Sequence, residues 1–562
     1  MHSFYFRKIS AFYLFLLLLA GATSAQAQRP AYERSQNYDV QHYTLRVKPD
    51  HAKRSIEGDT TVILRPTEKG VKVIELDAVG LKFTSVKLES DGKDLTYRVL
   101  KDKVAVTLDR EYGTDEDIAI RFAYTATPKK GIYFVNEGFE DKRRVHSKQI
   151  WTQGEPDEAR HWFPSFDFPG DKATTEQFIT AEKGMTVIGN GEELGKKDNG
   201  DGTETHRFRL NIPHSTYLVS FIIGEYVKVE DKYRDIPLGY YTYPEARTIV
   251  PLAYGKTKDF FRIMEELTAT PYPFNKYDQT VVSNFEFGGM ENITATTMAD
   301  TEIAYARLDF LRGNVEDLVT HEIAHSWFGN NVTCKNWAEL WLNEAFATFF
   351  EAAVREKLYG RDEYLRKVGT NADSFMTHDA ATPVSHGLYN RRAGDVSLLF
   401  KWPAVTYDKG GVFVHMLREQ VGEETFWKAL NLFLTRHRFS SVETADLRKV
   451  MEETSGQNLG WFFDQWVYGT SYPRLTVRQT FNAAKKELRM DIRQTQSGDK
   501  LTPKAFRLPL EVELEYKDGT KELKEIVVDS RQQVITMSAK TNPAKVTFDP
   551  NKRIMLLSVK KR

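Results

Sequence analysis

The chain has 562 residues, 41% hydrophobic and 28% charged, and its 78 Lys plus Arg equal its 78 Asp plus Glu. Such a length exceeds what one hydrophobic core organises, so two to four domains are expected, and the composition excludes wholesale disorder. Zero net charge leaves no basic footprint for nucleic acid and no global pull toward an anionic membrane.

The first 27 residues read apart from the rest. Arg7 and Lys8 precede an apolar run over 9–22, and Ala25-Gln26-Ala27 closes it in the small-residue style of a cleaved export signal. The run is shorter than the roughly 20 residues that cross a bilayer, so cleavage after Ala27 is expected, not stable membrane insertion. A single cysteine, Cys334, allows no intramolecular disulfide. An exported chain without disulfides fits a bacterial periplasm or the outside medium better than a eukaryotic secretory route.

From about residue 38 to 226 the pattern favours strands. Tyr43, Leu45 and Val47 alternate with polar residues, and Asp91-Gly92 and Asn199-Gly200-Asp201-Gly202 mark turns. Between about 245 and 470 the apolar residues recur at helical spacing, over 315–328, 337–358 and 412–421. Alternation then returns, with Leu475 and Val477 followed by Leu508, Leu510, Val512 and Leu514 in period two. The expected organisation is a leader at 1–27, an antiparallel β domain at 28–244, a mostly helical domain at 245–470 and a small β domain at 471–562. No fixed-period repeat or low-complexity stretch points to a solenoid or propeller.

The chemistry concentrates in the helical part. His321-Glu322-Ile323-Ala324-His325 sets two imidazoles four residues apart, hence one turn apart on one helix face. Asn314 reads as the N-cap and Gly329 as the stop, which would put both histidines mid-helix. Glu344 lies in the apolar stretch 337–358, where a carboxylate requires a partner. Two imidazoles and one carboxylate leave a fourth tetrahedral position open, the arrangement of one catalytic zinc ion per chain. Glu322 follows its histidine by one residue, which turns it about 100° from the ligand face and frees it to act as general base. Glu351 comes two turns after Glu344, positioned to accept a proton from a metal-bound imidazole.

Several short segments carry a family resemblance. In order they are Thr152-Gln153-Gly154-Glu155-Pro156, Pro271-Tyr272-Pro273, Gly288-Gly289-Met290-Glu291-Asn292, the histidine segment, Trp341-Leu342-Asn343-Glu344 and Tyr407-Asp408-Lys409-Gly410-Gly411. With these the chain resembles the gluzincin zinc aminopeptidases typified by aminopeptidase N and leukotriene hydrolase. The resemblance implies a multidomain α+β fold: an N-terminal antiparallel β-saddle domain, a thermolysin-like mostly helical catalytic domain and a small C-terminal β-sandwich domain. It also implies that Tyr407 stabilises the oxyanion, that Glu291 and Glu155 bind the substrate α-amine, and that Gly288, Gly289 and Met290 line extended substrate. Phe287 is a candidate wall of the first side-chain pocket. Gly289 stands where many members carry alanine, and Ala345 replaces the glycine usual after the zinc glutamate. Many relatives add a large helical C-terminal domain without counterpart here, so a more open site is expected.

The function expected from these residues is removal of the N-terminal residue from peptides with a free amino terminus. Water is the nucleophile, activated by zinc, with Glu322 as general base. A zinc endopeptidase, which would not measure the amino terminus, and a non-catalytic peptide-binding scaffold are the alternatives, with a lipid epoxide hydrolase behind them. No feature specifies an oligomeric state.

Overall fold

The computed structural model describes residues 32–382 and 386–561; the leader expected at 1–27 lies outside them. Strands dominate the N-terminal part, helices the centre and strands the C-terminal part, the multidomain α+β organisation expected from the sequence. Among the described residues no helix is long and apolar enough to cross a membrane.

The N-terminal part is built on a seven-stranded sheet that runs from Glu192–Asp198 at one edge to Lys82–Leu88 at the other. Its pairs are antiparallel except Tyr38–Asp50 with Ala173–Glu182, which run parallel. Period-two patterning produces this sheet directly, because Tyr43, Leu45 and Val47 turn to the buried face and their polar neighbours lie less buried. A smaller four-stranded sheet contains Gln149–Thr152, whose four residues are all buried. The chain leaves that strand toward Glu155, three residues on.

A five-stranded sheet joins this part to the helices. It takes Val227–Tyr233 and Ile236–Thr242 from before residue 244 and Tyr277–Val282, Ala295–Ala299 and Gly289–Met290 from after it, so continuous sheet crosses that position. Gly289–Met290 forms the edge strand, paired antiparallel to Met298 and Thr297. The principal helices behind it are Arg312–Ala324, Trp341–Tyr359, Arg361–Ala381 and Gly410–Val421.

The C-terminal part has a four-stranded and a three-stranded sheet. Leu508, Leu510, Val512 and Leu514 are all buried, as their alternation requires. Their core is continuous with that of the helical part, so the two pack as one hydrophobic body.

The histidine helix departs from its expected limits. It spans Arg312–Ala324, with Leu311 at the N-cap and His325 at the C-cap, so Asn314 lies inside the first turn and His325 is not mid-helix. The helix starts early because the preceding chain is already coiled: Arg312 N–H donates to the Leu308 carbonyl and Asn314 N–H to that of Leu311. It ends early because residues after Ala324 tighten, with Ser326 and Trp327 bonding three residues back before Gly329 turns at φ 130°. His325 still donates its N–H to the His321 carbonyl, so the one-turn spacing of the two rings survives.

Candidate active site

Two helices build the centre of the site. The histidine helix brings in His321, Glu322 and, at its end, His325; the helix Trp341–Tyr359 brings in Glu344 and Glu351. The Glu344 carboxylate lies 3.3 Å from His321 Nε2 and 3.5 Å from His325 Nε2. All three groups offer ligand atoms within 4.8 Å of one another.

The outer ring nitrogens select the tautomer. His321 Nδ1 lies 2.8 Å from Glu351 Oε1 and His325 Nδ1 lies 2.9 Å from the Phe328 carbonyl oxygen. Both acceptors require a proton on Nδ1, which leaves both Nε2 lone pairs directed at the Glu344 side. Four ligands about 2.0–2.1 Å from a tetrahedral ion stand roughly 3.3 Å apart, which matches the two nitrogen-to-carboxylate separations. The donor set therefore fits a tetrahedral divalent metal ion.

Charge makes the same case. Glu155, Glu291, Glu322 and Glu344 are all buried around this point, and among the described residues none has a Lys or Arg within ion-pair distance. Burial pushes the Glu322 carboxyl up to about 7, against the lowering influence of His321 and His325. Burial likewise raises Glu155, reinforced by Glu291 and Glu344, and raises Glu291 against the pull of His325. At Glu344 burial also pushes upward, but His325 and His321, when their rings carry the charge that a metal ion would otherwise supply, prevail and lower it. Unpaired buried carboxylates are costly, so this cluster calls for positive charge from a ligand.

The other expected residues converge on one cavity of about 530 Å³, lined by Glu155, Gly288 to Glu291, Tyr407 and the ligand set. Glu155 Oε1 and Glu322 Oε2 are buried there without a hydrogen-bond partner. Tyr407 sits in a π-helical turn, Ala404–Lys409, with its ring 6.0 Å from that of His321 and nearly parallel to it. Such turns are frequent at functional sites. Lys409, two residues on, is buried and donates to the Gly469 carbonyl at 2.9 Å, which ties this turn to the start of the C-terminal part. Phe287 is 38% exposed and meets Phe285 and Phe400 edge to face.

Three polar side chains escaped the sequence reading. Tyr217 hydroxyl lies 3.3 Å from Glu291 Oε1 and itself accepts from Asn343 Nδ2 at 3.2 Å. Lys367 lines the cavity and contacts Glu351. Tyr217 and Lys367 stand in no motif, and Asn343 lies within one without a chemical signal of its own. Only the fold brings them to the centre.

Comparison with known proteins gives two domain matches: the peptidase M1 N-terminal domain over residues 39–218 and the peptidase family M1 domain over 252–466. Similar curated proteins include aminopeptidase 2 of Candida albicans, 26% identical over 78% of this chain and 48% of that protein. Probable aminopeptidase 1 of Saccharolobus solfataricus is 28% identical over 85% of this chain and 60% of its own length. Aminopeptidase N of Streptomyces lividans is 32% identical over 57% of this chain and 38% of its own. The chain spans about half the length of the curated relatives it matches.

Proposed function

Since the chain belongs to peptidase family M1, we propose that it is a zinc-dependent aminopeptidase that removes the N-terminal residue from peptides. The observation that carries this reading is the pairing of the His321, His325 and Glu344 ligand set with two further buried carboxylates, Glu155 and Glu291, in one cavity. A free α-ammonium is the substrate group that such carboxylates recognise. The named activity of the relatives agrees with it.

His321, His325 and Glu344 would hold the zinc ion. When bound, zinc acidifies a water molecule and polarises a carbonyl group. Glu322 takes the proton from the attacking water and delivers it to the departing amine; its burial and absent cation partner favour such a shuttle near neutral pH. Tyr407 donates its hydroxyl proton in a hydrogen bond to the oxygen that gains charge as the carbonyl becomes tetrahedral. Glu155 and Glu291 seat the α-ammonium, and the edge strand Gly289–Met290 offers its free side to extended substrate backbone.

We also propose export to the periplasm or medium, on the strength of the basic, apolar and small-residue pattern over residues 1–27. N-terminal sequencing of protein recovered from the exported fraction tests this, with Gln28 expected as the first residue.

The central test compares wild type with Glu322→Gln on free-amine aminoacyl substrates and their N-acetylated twins, with bound zinc measured in both proteins. Wild-type cleavage of the free-amine set alone, with zinc retained and turnover lost in the variant, is the expected result. Equal cleavage of acetylated substrates would move the assignment to an endopeptidase. A zinc-loaded wild type inert on both sets would leave a binding role.

A further inference from the structure

We propose that Lys367 is a positioning residue for the metal site, which staples together the two helices that carry the ligands. This rests on the reading of His321, His325 and Glu344 as the metal tripod. Lys367 belongs to the helix Arg361–Ala381, outside every motif singled out in the sequence.

Its ammonium lies between two carboxylates on different helices. Lys367 Nζ is 2.5 Å from Glu351 Oε2 and 3.1 Å from Asp317 Oδ2. Glu351 stands two turns after Glu344 on the glutamate helix, and its other oxygen receives His321 Nδ1 at 2.8 Å. Asp317 stands one turn before His321 on the histidine helix. One cation therefore binds both helices beside the imidazole that they jointly orient.

The surroundings show that this link is built and enclosed. The side chains of Lys367, Asp317 and Glu351 are 18%, 12% and 12% exposed. Arg355, one turn after Glu351, reaches Asp317 Oδ1 at 2.5 Å with Nε and the Gly313 carbonyl at 2.8 Å with Nη2. Asp317 thus has two cations, whereas among the described residues Glu351 has only Lys367 as a Lys or Arg partner. Without Lys367 the Glu351 carboxylate keeps a single partner, the His321 ring, and loses the contact that fixes its rotamer. A loosened Glu351 frees the His321 ring to tilt, while Arg355 still ties the two helices through Asp317 and Gly313, so the loss falls on the orientation of that ligand ring. Groups that act through a metal ligand in this way typically change metal affinity 10–100-fold when removed.

The experiment measures zinc dissociation constants of the full chain by competition with a chromophoric chelator. Lys367→Met is expected to weaken zinc binding by about 10–100-fold, with the circular dichroism spectrum unchanged. Lys367→Arg, which keeps the charge and the reach, is expected to recover most of that loss. Arg366→Ala is the control: Arg366 pairs with Glu363 on the exposed surface, and its loss is expected to leave zinc affinity unchanged. Should methionine at 367 prevent folding, Lys367→Gln serves the same comparison, because it retains a donor without the charge. Wild-type affinity in a folded Lys367→Met or Lys367→Gln chain would overturn the proposal, and so would an Arg variant as weak as the Met variant. A wild-type chain that binds no zinc would instead overturn the metal-centre reading on which it rests.

Discussion

The Cβ that Gly289 lacks would fall on the carboxylate of Glu322. The edge strand and Glu322, the proposed general base, are therefore in such close approach that only glycine leaves the carboxylate where it stands.

Gly289→Ala should displace the Glu322 carboxylate while leaving the tripod intact. Misplacing a catalytic group by about 1 Å costs up to two orders of magnitude in rate; a fall in kcat of about tenfold is expected here because a glutamate side chain can partly adjust. Steady-state kinetics beside a zinc determination checks this, with stoichiometric zinc required in the variant.

Glu291→Gln should weaken recognition of the α-ammonium without changing the carboxylate's shape. Hydrogen bonds to charged groups contribute about 1.5–3 kcal/mol, so kcat/KM on free-amine substrates should fall about 10–100-fold, and Glu155→Gln should act in the same direction. The discriminating measurement is the ratio of kcat/KM between a free-amine substrate and its N-acetylated twin. That ratio should shrink in both variants, and a ratio equal to wild type would remove the amine-binding role.

Gly410→Ala should disturb both stability and turnover. A Cβ at Gly410 would lie 2.6 Å from Ala345 Cβ and 3.2 Å from Ala345 Cα, next to the proposed ligand Glu344 and three residues after Tyr407. Neither neighbour is the end of a flexible chain, so the two helices must separate. Overpacking of this kind costs about 1–3 kcal/mol, which should appear as a lower denaturation midpoint together with a reduced kcat. Ala345→Gly in the same chain should restore part of both.

Stability should fall as pH drops from about 6.5 to 4, in part through His415. Burial lowers its pKa from 6.5 to about 4, and the ring is held neutral between the Tyr364 hydroxyl at 2.7 Å and the Lys552 carbonyl at 2.9 Å. The unfolded chain binds this proton at higher pH than the folded one, so the contribution is fully present above 6.5 and is lost as pH falls through 4. For a fully buried group this amounts to something on the order of 3 kcal/mol. Denaturant titrations of wild type and His415→Gln at pH 7 and pH 4.5 check it: the difference between the two proteins should be smaller at the lower pH. Equal differences would show that His415 carries no share of the acid sensitivity.

Much of the centre was legible because local covalent spacing constrains it. Residues four apart on a helix share a face, so His321 and His325 had to stand one turn apart, and the early end of the helix at Ala324 did not alter this because the N–H of His325 still closes onto His321. The same periodicity placed Glu351 beside Glu344, and the fold set its oxygen on His321 Nδ1. Period-two alternation likewise specified which faces of Tyr38–Asp50 and Leu508–Glu515 are buried. Asn314 is not the cap because the chain ahead of it is already coiled, with Arg312 N–H bonded to the Leu308 carbonyl and Asn314 N–H to that of Leu311.

What the sequence determined by itself is the one-turn spacing of His321 and His325, the place of Glu322 between them and the β, helical and β succession, each of which follows from spacing along a regular backbone. What only the tertiary structure decided is the company these groups keep. Glu155 arrives from the N-terminal sheet, Tyr217 hydroxyl reaches Glu291, and Lys367 closes on Asp317 and Glu351 from a third helix. Such contacts join residues far apart in the chain, and packing of apolar faces brings them together, with no record in any single segment. Lys367 then pairs with Asp317 and Glu351 because burial leaves an unpaired charge too costly to keep.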